Sequence, residues 1–274
     1  MAEAESSRGS SARDRIGLGT GAAISILVCV LAGWSVVSLE LHQANVSRVG
    51  TGIGFLFDAS IPPDTSVLEV GLRGLQETLY IAYLGTLIGV VLSLPVSLLA
   101  SRNLFPWFVN LPARWFLAGL RVLPSILWAV IFVILVGTGP LAGVLAISLY
   151  TTGFVGKLEY ETFEGLDAGP ITAVGSLGAS RLQVLRFVVL PQAAHSLIGQ
   201  ALFMFEYNVR HASAIGIVGA GGIGYYIMGY LDFFAYDRVI VLLGIVFVVV
   251  IVIDECSYWL RSRYIGTTAV TTGG

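Results

Sequence analysis

The chain has 274 residues, of which 56% are hydrophobic and only 12% carry a charge. Soluble domains contain about 25% charged residues, so a soluble chain of this size could not hide so much apolar surface from water. The composition therefore predicts an integral membrane protein whose solvent is the lipid bilayer. The formal net charge of −2 gives no support for binding to nucleic acid.

Six apolar segments are long enough to cross a bilayer, which takes about 20 residues per helix. They are 17–39, 76–100, 114–137, 141–163, 192–215 and 237–260. We therefore expect an all-α integral membrane protein with about six transmembrane helices. A polar stretch, 40–65, separates the first two segments, and 66–75 has the pattern of a short amphipathic helix.

The pattern divides the chain into four parts. Residues 1–15 are rich in Ser, Ala, Glu and Arg and are expected to form a disordered cytoplasmic N-terminus. Residues 16–65 would hold the first transmembrane helix and an extracytoplasmic segment. Residues 66–265 would form the main transmembrane domain, and 266–274 a flexible C-terminal tail.

The basic residues predict how the helices are oriented. With both termini in the cytoplasm, ten basic residues lie on the inner side and three on the outer side. The inner ten are Arg8, Arg13, Arg15, Arg102, Arg114, Lys157, Arg181, Arg186, Arg261 and Arg263. The outer three are Arg48, Arg73 and Arg238. This positive-inside bias places the loop 164–190 in the cytoplasm.

That loop has the pattern of two short helices joined by a turn. Asp167 and Pro170 are suited to begin a helix, and Gly178 can supply the left-handed geometry that ends one. A second helix is predicted over 182–190, before Pro191 leads into the fifth transmembrane segment. An amphipathic loop lying on the lipid surface is the alternative interpretation of this pattern.

The spacing of four residues in this loop, Gly178, Val188, Leu190 and Pro191, resembles the cytoplasmic coupling loop of binding-protein-dependent ABC importer permeases. The family pattern opens with Glu-Ala-Ala, and here only Ala173 matches that triplet. The segments 76–79, 123–129, 153–157, 207–210 and 219–224, taken in order, resemble the phosphonate importer permease subunit. The likeness runs over about residues 66–265.

The resemblance implies a type I ABC importer permease fold with a cytoplasmic helix-turn-helix coupling loop over 164–191. It implies a multi-pass protein of a prokaryotic plasma (inner) membrane that assembles with a second copy of itself, a cytoplasmic ABC ATPase dimer and an extracytoplasmic phosphonate-binding protein. The chain itself would need no cofactor or metal and would have no catalytic residue, because ATP and Mg bind the ATPase. The ATPase-coupling residues would be Ala173, Leu177, Gly178, Ala179, Val188, Leu190 and Pro191.

Ionisable and polar residues inside transmembrane segments are candidates for a substrate pathway. The candidates are Glu77, Glu206, Asn208, Arg210 and His211. Arg210 could bind an anionic phosphonate through its two-pronged guanidinium group, and a count from Pro191 at 1.5 Å per residue places it in the outer half of the bilayer. The alternative is that Glu206 and Arg210, four residues apart on one helix, form a structural ion pair.

Three other functions are compatible with parts of the sequence. The chain could be a methionine or osmolyte permease, but such substrates give no reason for Arg210 beside His211 in the pathway. A channel or secondary transporter would leave the coupling loop without a role. A membrane enzyme would need a metal or nucleophile cluster, and the histidines are scattered.

The glycine-rich run 219–224 is not a nucleotide-binding loop, because no Lys-Ser/Thr pair follows it. We expect a tight, re-entrant or close-packed segment there, near the mouth of the pathway.

Overall fold

The computed structural model describes residues 21, 24–39 and 47–264, and every long element within those ranges is a helix. The chain divides into two units on either side of Asp58. The first unit contains α1 (Ile24–Ser38), whose side chains are exposed, and most of α2 (Ser47–Ser60). The predicted tails, 1–15 and 266–274, and the first residues of the first predicted span, 17–20, lie outside the described residues.

The stretch 40–65 was described from the sequence only as polar, and the structure shows a helix within it. Residues 47–60 form α2, whose apolar residues include Ile53, Phe55 and Phe57. Ile61, Pro62, Pro63 and Asp64 follow this helix and form no helical turn. The glycines among the apolar residues of α2 had hidden its helical pattern, because glycine lowers helix propensity.

The second unit begins with a short 3₁₀ turn, Thr65–Val67, that runs directly into α3 (Leu68–Ala100). The predicted amphipathic helix 66–75 and the second predicted span are therefore one element. At 1.5 Å per residue its 33 residues extend about 50 Å. Asp64 caps the 3₁₀ turn, since its carboxylate accepts a hydrogen bond from the backbone N–H of Ser66 at 2.9 Å.

The third predicted span, 114–137, is not one straight helix. The structure has α4 (Trp107–Val122) and α5 (Ser125–Val136), and their axes differ by 84°. The break falls at Leu123, whose backbone is extended, and Pro124. Proline has no N–H to continue the helical hydrogen bonds, and its ring disfavours helical geometry in the residue before it. The broken pair counts as one span at most.

The fourth predicted span is confirmed as α6 (Pro140–Glu164), which packs against α3, α4, α5 and α9 (Leu190–Ile215). Helices α3 and α6 approach closely because small residues of α3 face α6. An added Cβ would lie 2.6 Å from Ile147 at Gly85 and 2.5 Å from Thr151 at Gly89. Such contacts between small residues are a common way of packing membrane helices without a hydrophobic driving force.

The fifth and sixth predicted spans are confirmed as α9 and α11 (Tyr236–Tyr264). Between them lie a 3₁₀ turn, Gly216–Val218, and α10 (Ile223–Asp232). Among the described residues, four helices are long and apolar enough to cross a membrane, or up to five if the bent pair is one span. Helix α1 is shorter than that test requires, so it leaves the predicted sixth crossing open.

The helix bundle of the second unit has two ends, which we call the loop end and the glycine end. At the loop end, α3 and α6 finish beside the start of α4, and the segment 164–191 follows. At the glycine end, the start of α6 meets the run 219–224, where the backbone N–H of Gly139 donates to the carbonyl oxygen of Gly219 at 2.9 Å. These two ends carry the two sets of candidate functional residues.

Candidate functional site

The loop between α6 and α9 contains the short helices that the sequence predicts. Asp167 caps α7 (Ala168–Ser176) by accepting a hydrogen bond from the backbone N–H of Gly169 at 2.9 Å. Gly178 lies just beyond the helix with φ +82°, in the left-handed region that only glycine adopts readily. The predicted start and end of this first helix are therefore confirmed.

The second helix of the loop differs from the prediction. Ser180 caps α8 (Arg181–Val184) through reciprocal bonds with Gln183, a capping box that the sequence analysis overlooked. A π-helical turn, Leu185–Val189, then joins α8 to α9 without a break. Residues 182–190 are thus the first part of one long continuous helix, and Leu190 and Pro191 lie in its interior rather than at a separate start. Proline is tolerated there because the wide π turn precedes it.

Exposure separates the predicted coupling residues into two groups. Leu177 is 85% exposed, and Leu182, which the prediction did not include, is 72% exposed. Ala173, Gly178 and Pro191 are also exposed, whereas Ala179 and Leu190 are half-buried. Val188 is buried. The loop therefore offers exposed leucines on its surface, while Val188 belongs to its internal packing.

The loop is fixed to the transmembrane helices by packing and by an ion pair. Phe163, Val189 and Ala193 form a buried cluster against residues of α3, including Leu98. The Glu164 carboxylate accepts hydrogen bonds from the backbone N–H of Arg102 and from the guanidinium of Arg114. A cavity of about 510 Å³ lies between the loop and the α3–α4 connection. These contacts would let a force on the loop move several helices together.

Asn208 is the most buried of the predicted pathway residues, with 1% of its surface exposed. Its side-chain amide donates to Thr86 Oγ1 and to Thr151 Oγ1, each at 2.8 Å. One residue of α9 thereby joins α3 and α6, and Thr151 lies near the midpoint of the 25-residue helix α6. The structure thus shows Asn208 tying three helices together at mid-depth.

Arg210 is held in a network of charges rather than standing alone. Its Nη2 lies 3.1 Å from Glu206 Oε1 and also bonds Asp254 of α11. Glu206 Oε2 accepts a further bond from Arg261 Nη2 at 2.8 Å. The alternative ion pair is therefore present and extends to two residues of α11 that the sequence analysis did not select. A role for Arg210 in the pathway remains a prediction.

The contacts of Arg210 give its level relative to the neighbouring helices. Asn208 lies beside Thr151 at the middle of α6, and the Arg210 partner Asp254 lies in the half of α11 nearer the loop end. The placement of Arg210 in the outer half of the bilayer stays a prediction.

The other two predicted residues lie apart from this network. His211 stacks on Tyr207 with ring centroids 3.9 Å apart, and its Nδ1 lies 3.0 Å from the Tyr207 carbonyl oxygen. Glu77 lies at the glycine end, where it lines a cavity of about 250 Å³ beside Gly221. The five predicted pathway residues therefore do not form one site: Asn208 and His211 lie at mid-depth, Glu206 and Arg210 face α11, and Glu77 is distant.

The run 219–224 is close-packed, as predicted. Gly219, Gly221 and Gly222 all have positive φ. A Cβ at Gly224 would lie 2.0 Å from the carbonyl oxygen of Ser213, so only glycine fits there. Thr78 supports the turn by accepting a bond from the backbone N–H of Ile223 at 2.8 Å.

The sequence from residue 78 to 265 matches the family described as binding-protein-dependent transport system inner membrane component. The chain belongs to this family. The family comprises permease subunits of transporters, so the chain is a multi-pass membrane protein of the transport class. Membership confirms the resemblance drawn from the loop spacing and from the five ordered segments.

Individual relatives carry related names. A phosphite transport system permease protein PtxC of Stutzerimonas stutzeri is 37% identical, covering 88% of both chains. A putative phosphite transport system permease protein HtxC of the same organism is 34% identical, covering 89% of this chain and 86% of the relative. A phosphate-import permease protein PhnE of Mycolicibacterium smegmatis is 35% identical over 94% of this chain, which spans about half (48%) of that relative's length.

Solved structures confirm the fold. An inward-facing structure of the MetNI methionine ABC transporter superposes with a TM-score of 0.64 at 23% identity, covering 73% of this chain and 98% of that chain. An amino acid ABC transporter gives a TM-score of 0.61 at 19% identity, covering 72% and 95%. At these identities the likeness shows the type I importer fold alone.

Proposed function

We propose that the chain is the membrane-spanning subunit of an ATP-driven importer that carries phosphonate, or a related phosphorus oxyanion such as phosphite or phosphate, into the cytoplasm. The observation that carries the proposal is the 34–37% identity to phosphite permeases over most of both chains. Relatives named for D-methionine transport are only 26% identical over about two thirds of this chain. The oxyanion is therefore favoured over methionine as the substrate.

The loop end supports ATP coupling by a separate subunit. Leu177 and Leu182 offer apolar surface that an ATPase groove could cover, and the buried Phe163 cluster and Glu164 link this surface to α3, α4 and α6. Motion of a docked ATPase would then pass into the bundle as rigid-body motion. A channel or secondary carrier would have no use for such a loop.

The proposed assembly follows from the same features. Two copies of this chain would bind a dimeric ATPase, which holds ATP and Mg, on the cytoplasmic side. A phosphonate-binding protein would deliver substrate at the glycine end, which would face outward in a prokaryotic inner membrane with both termini of the chain inside. The chain would hold no cofactor of its own.

Uptake by cells tests this proposal. A host that lacks its own phosphorus oxyanion importers would express the chain with the ATPase and binding protein encoded beside it, and uptake of labelled phosphite and methylphosphonate would be measured. We expect uptake that unlabelled phosphorus oxyanions reduce and that excess methionine leaves unchanged. A control ATPase that cannot hydrolyse ATP should abolish it. Uptake of methionine but of no oxyanion would refute the proposed substrate.

A further inference from the structure

Aromatic rings form a continuous stack at the middle of the bundle, between α6 and α9. Tyr150 and Phe154 of α6 stack with ring centroids 6.1 Å apart, and Phe154 lies 6.2 Å from Tyr207 of α9. Tyr207 stacks in turn on His211 at 3.9 Å. The hydroxyl oxygens of Tyr150 and Tyr207 lie 3.3 Å apart. One small region therefore holds two phenol groups and an imidazole.

Arg121 brings a positive charge to this stack. It lies in the last turn of α4, and its Cγ packs so closely against α6 that a Cβ at Gly153 would be only 2.9 Å away. Gly153 lies three residues from Tyr150 and next to Phe154 on α6, so this contact brings Arg121 beside the stack. The Nε atom of Arg121 is buried without a hydrogen-bond partner.

Arg121 differs from Arg210 in having no counter-charge. Arg210 bonds two carboxylates, Glu206 and Asp254, whereas no carboxylate within the described residues forms a salt bridge to Arg121. Within the same ranges, no Asp or Glu bonds Tyr150, Tyr207 or His211. A cation inside the membrane region is costly unless it is paired or serves a function. A ligand that supplies negative charge would remove that cost.

The stack also lies at the right depth and is held in place. Asn208, which follows Tyr207 in sequence, bonds Thr151, which follows Tyr150. This bond fixes the two tyrosines at the same level near the midpoint of α6. A site at mid-depth is equally far from both ends of the bundle, so a substrate there can be reached from either side in turn.

We propose that Arg121, Tyr150, Tyr207 and His211 form the site in the translocation pathway that selects for phosphorus oxyanions. The inference rests on the proposed function and moves the selecting charge from Arg210 to Arg121. The guanidinium can donate two hydrogen bonds to a tetrahedral oxyanion, and the tyrosine hydroxyls can donate to its remaining oxygens. A zwitterion such as methionine would bring an ammonium group to a site that has no carboxylate to receive it.

Binding here must be weak enough for the substrate to leave. A single guanidinium beside the stacked rings provides one strong interaction and several weak ones, whereas a cage of several cations would trap the anion. The neutral rings add shape and exclude water without adding charge. We therefore expect that Arg121 determines affinity for the anion, and that the tyrosine hydroxyls adjust it.

Uptake by the complete transporter, reconstituted in vesicles with its ATPase and binding protein, tests the inference. Because hydrogen bonds to a charged group are the strong ones, Arg121→Gln should lower the uptake of phosphite about 10- to 100-fold, with assembly and basal ATP hydrolysis retained. Arg121→Lys should keep part of the uptake rate, because lysine keeps the positive charge but lacks the planar guanidinium that donates two hydrogen bonds together. Tyr207→Phe should raise KM for phosphite a few-fold with little change in the maximal rate. Arg73→Gln, at an exposed arginine paired with Glu69, is the matched control and should transport normally.

The outcomes separate this inference from the proposed function. A wild-type complex that carries phosphite, together with Arg121→Gln and Tyr207→Phe variants that carry it equally well, would overturn the inference alone. A wild-type complex that carries no phosphorus oxyanion would overturn the proposed function and the inference together. If Arg121→Gln fails to assemble, Arg121→Lys and Tyr207→Phe decide: wild-type KM and rate in both would overturn the inference.

Discussion

The close contact between the start of α10 and the end of α9 predicts that Gly224→Ala destabilises the protein. The new Cβ would lie 2.0 Å from the carbonyl oxygen of Ser213 and 3.0 Å from the Cα of Gly216. Both are backbone atoms, so no side chain can rotate away to make room. Gly229 lies on the same helix with nothing within 4 Å of its added Cβ, which makes Gly229→Ala a matched control.

The magnitude follows from the distance. Side-chain Cβ atoms essentially never approach another heavy atom below 3.0 Å, so α10 and the end of α9 must separate by about 1 Å. Overpacking of this kind costs about 1–3 kcal/mol, and the upper value applies because backbone must move. The control should instead gain about 0.5 kcal/mol or more, because alanine favours a helix more than glycine does.

Thermal unfolding of the purified full-length chain in detergent, followed by circular dichroism, measures this difference. For a chain of this size a loss of about 3 kcal/mol lowers Tm by about 6–12 °C, whereas Gly229→Ala should match or exceed the wild type. Equal Tm values for the two variants would refute the close backbone contact, and with it the description of the glycine end.

Three further predictions concern the loop, the glycine end and the orientation. Gly178→Val places a β-branched residue at φ +82°, which costs about 1–2 kcal/mol of backbone strain; ATP hydrolysis should persist while uptake falls, and normal coupling would contradict this. Hydrogen bonds from Ser66, with help from Arg238, lower the pKa of Asp64. This carboxylate therefore stabilises the fold above about pH 4 and loses that effect as the pH falls further. A pH titration of Tm should show a smaller acid-induced loss for Asp64→Asn than for the wild type, and identical curves would count against this role of Asp64. With both native cysteines replaced by alanine, a cysteine at position 180 should react with a membrane-impermeant thiol reagent only from the cytoplasmic side and one at position 60 only from outside, so labelling of both from one side would exclude the topology.

The local features of the fold could be predicted from the sequence because neighbouring residues determine them. Asp167 caps a helix and Gly178 follows its end because caps and left-handed glycines act over three or four residues. The fourth, fifth and sixth spans were found because each is a long apolar run. The break at Pro124 was missed, since the apolar residues on its two sides read as one continuous hydrophobic segment.

The candidate site could not be assembled from one sequence because it depends on how distant helices align. Asp254 meets Arg210, and Arg261 meets Glu206, only when α11 lies antiparallel to α9 in one particular register. The stacking of Tyr150 on Tyr207 likewise needs the bond between their sequence neighbours on α6 and α9. Each residue was visible in the sequence as a polar or aromatic position in an apolar run, but no local spacing relates one to another.

We propose that this chain carries phosphorus oxyanions inward at the expense of ATP hydrolysed by a separate subunit. The most direct test is uptake of labelled phosphite and methylphosphonate into vesicles that contain the purified chain, its ATPase and its binding protein. We expect uptake that requires ATP, requires all three components and is reduced by unlabelled phosphorus oxyanions but not by methionine. Uptake that proceeds equally well without ATP, or that carries methionine and no oxyanion, would contradict it.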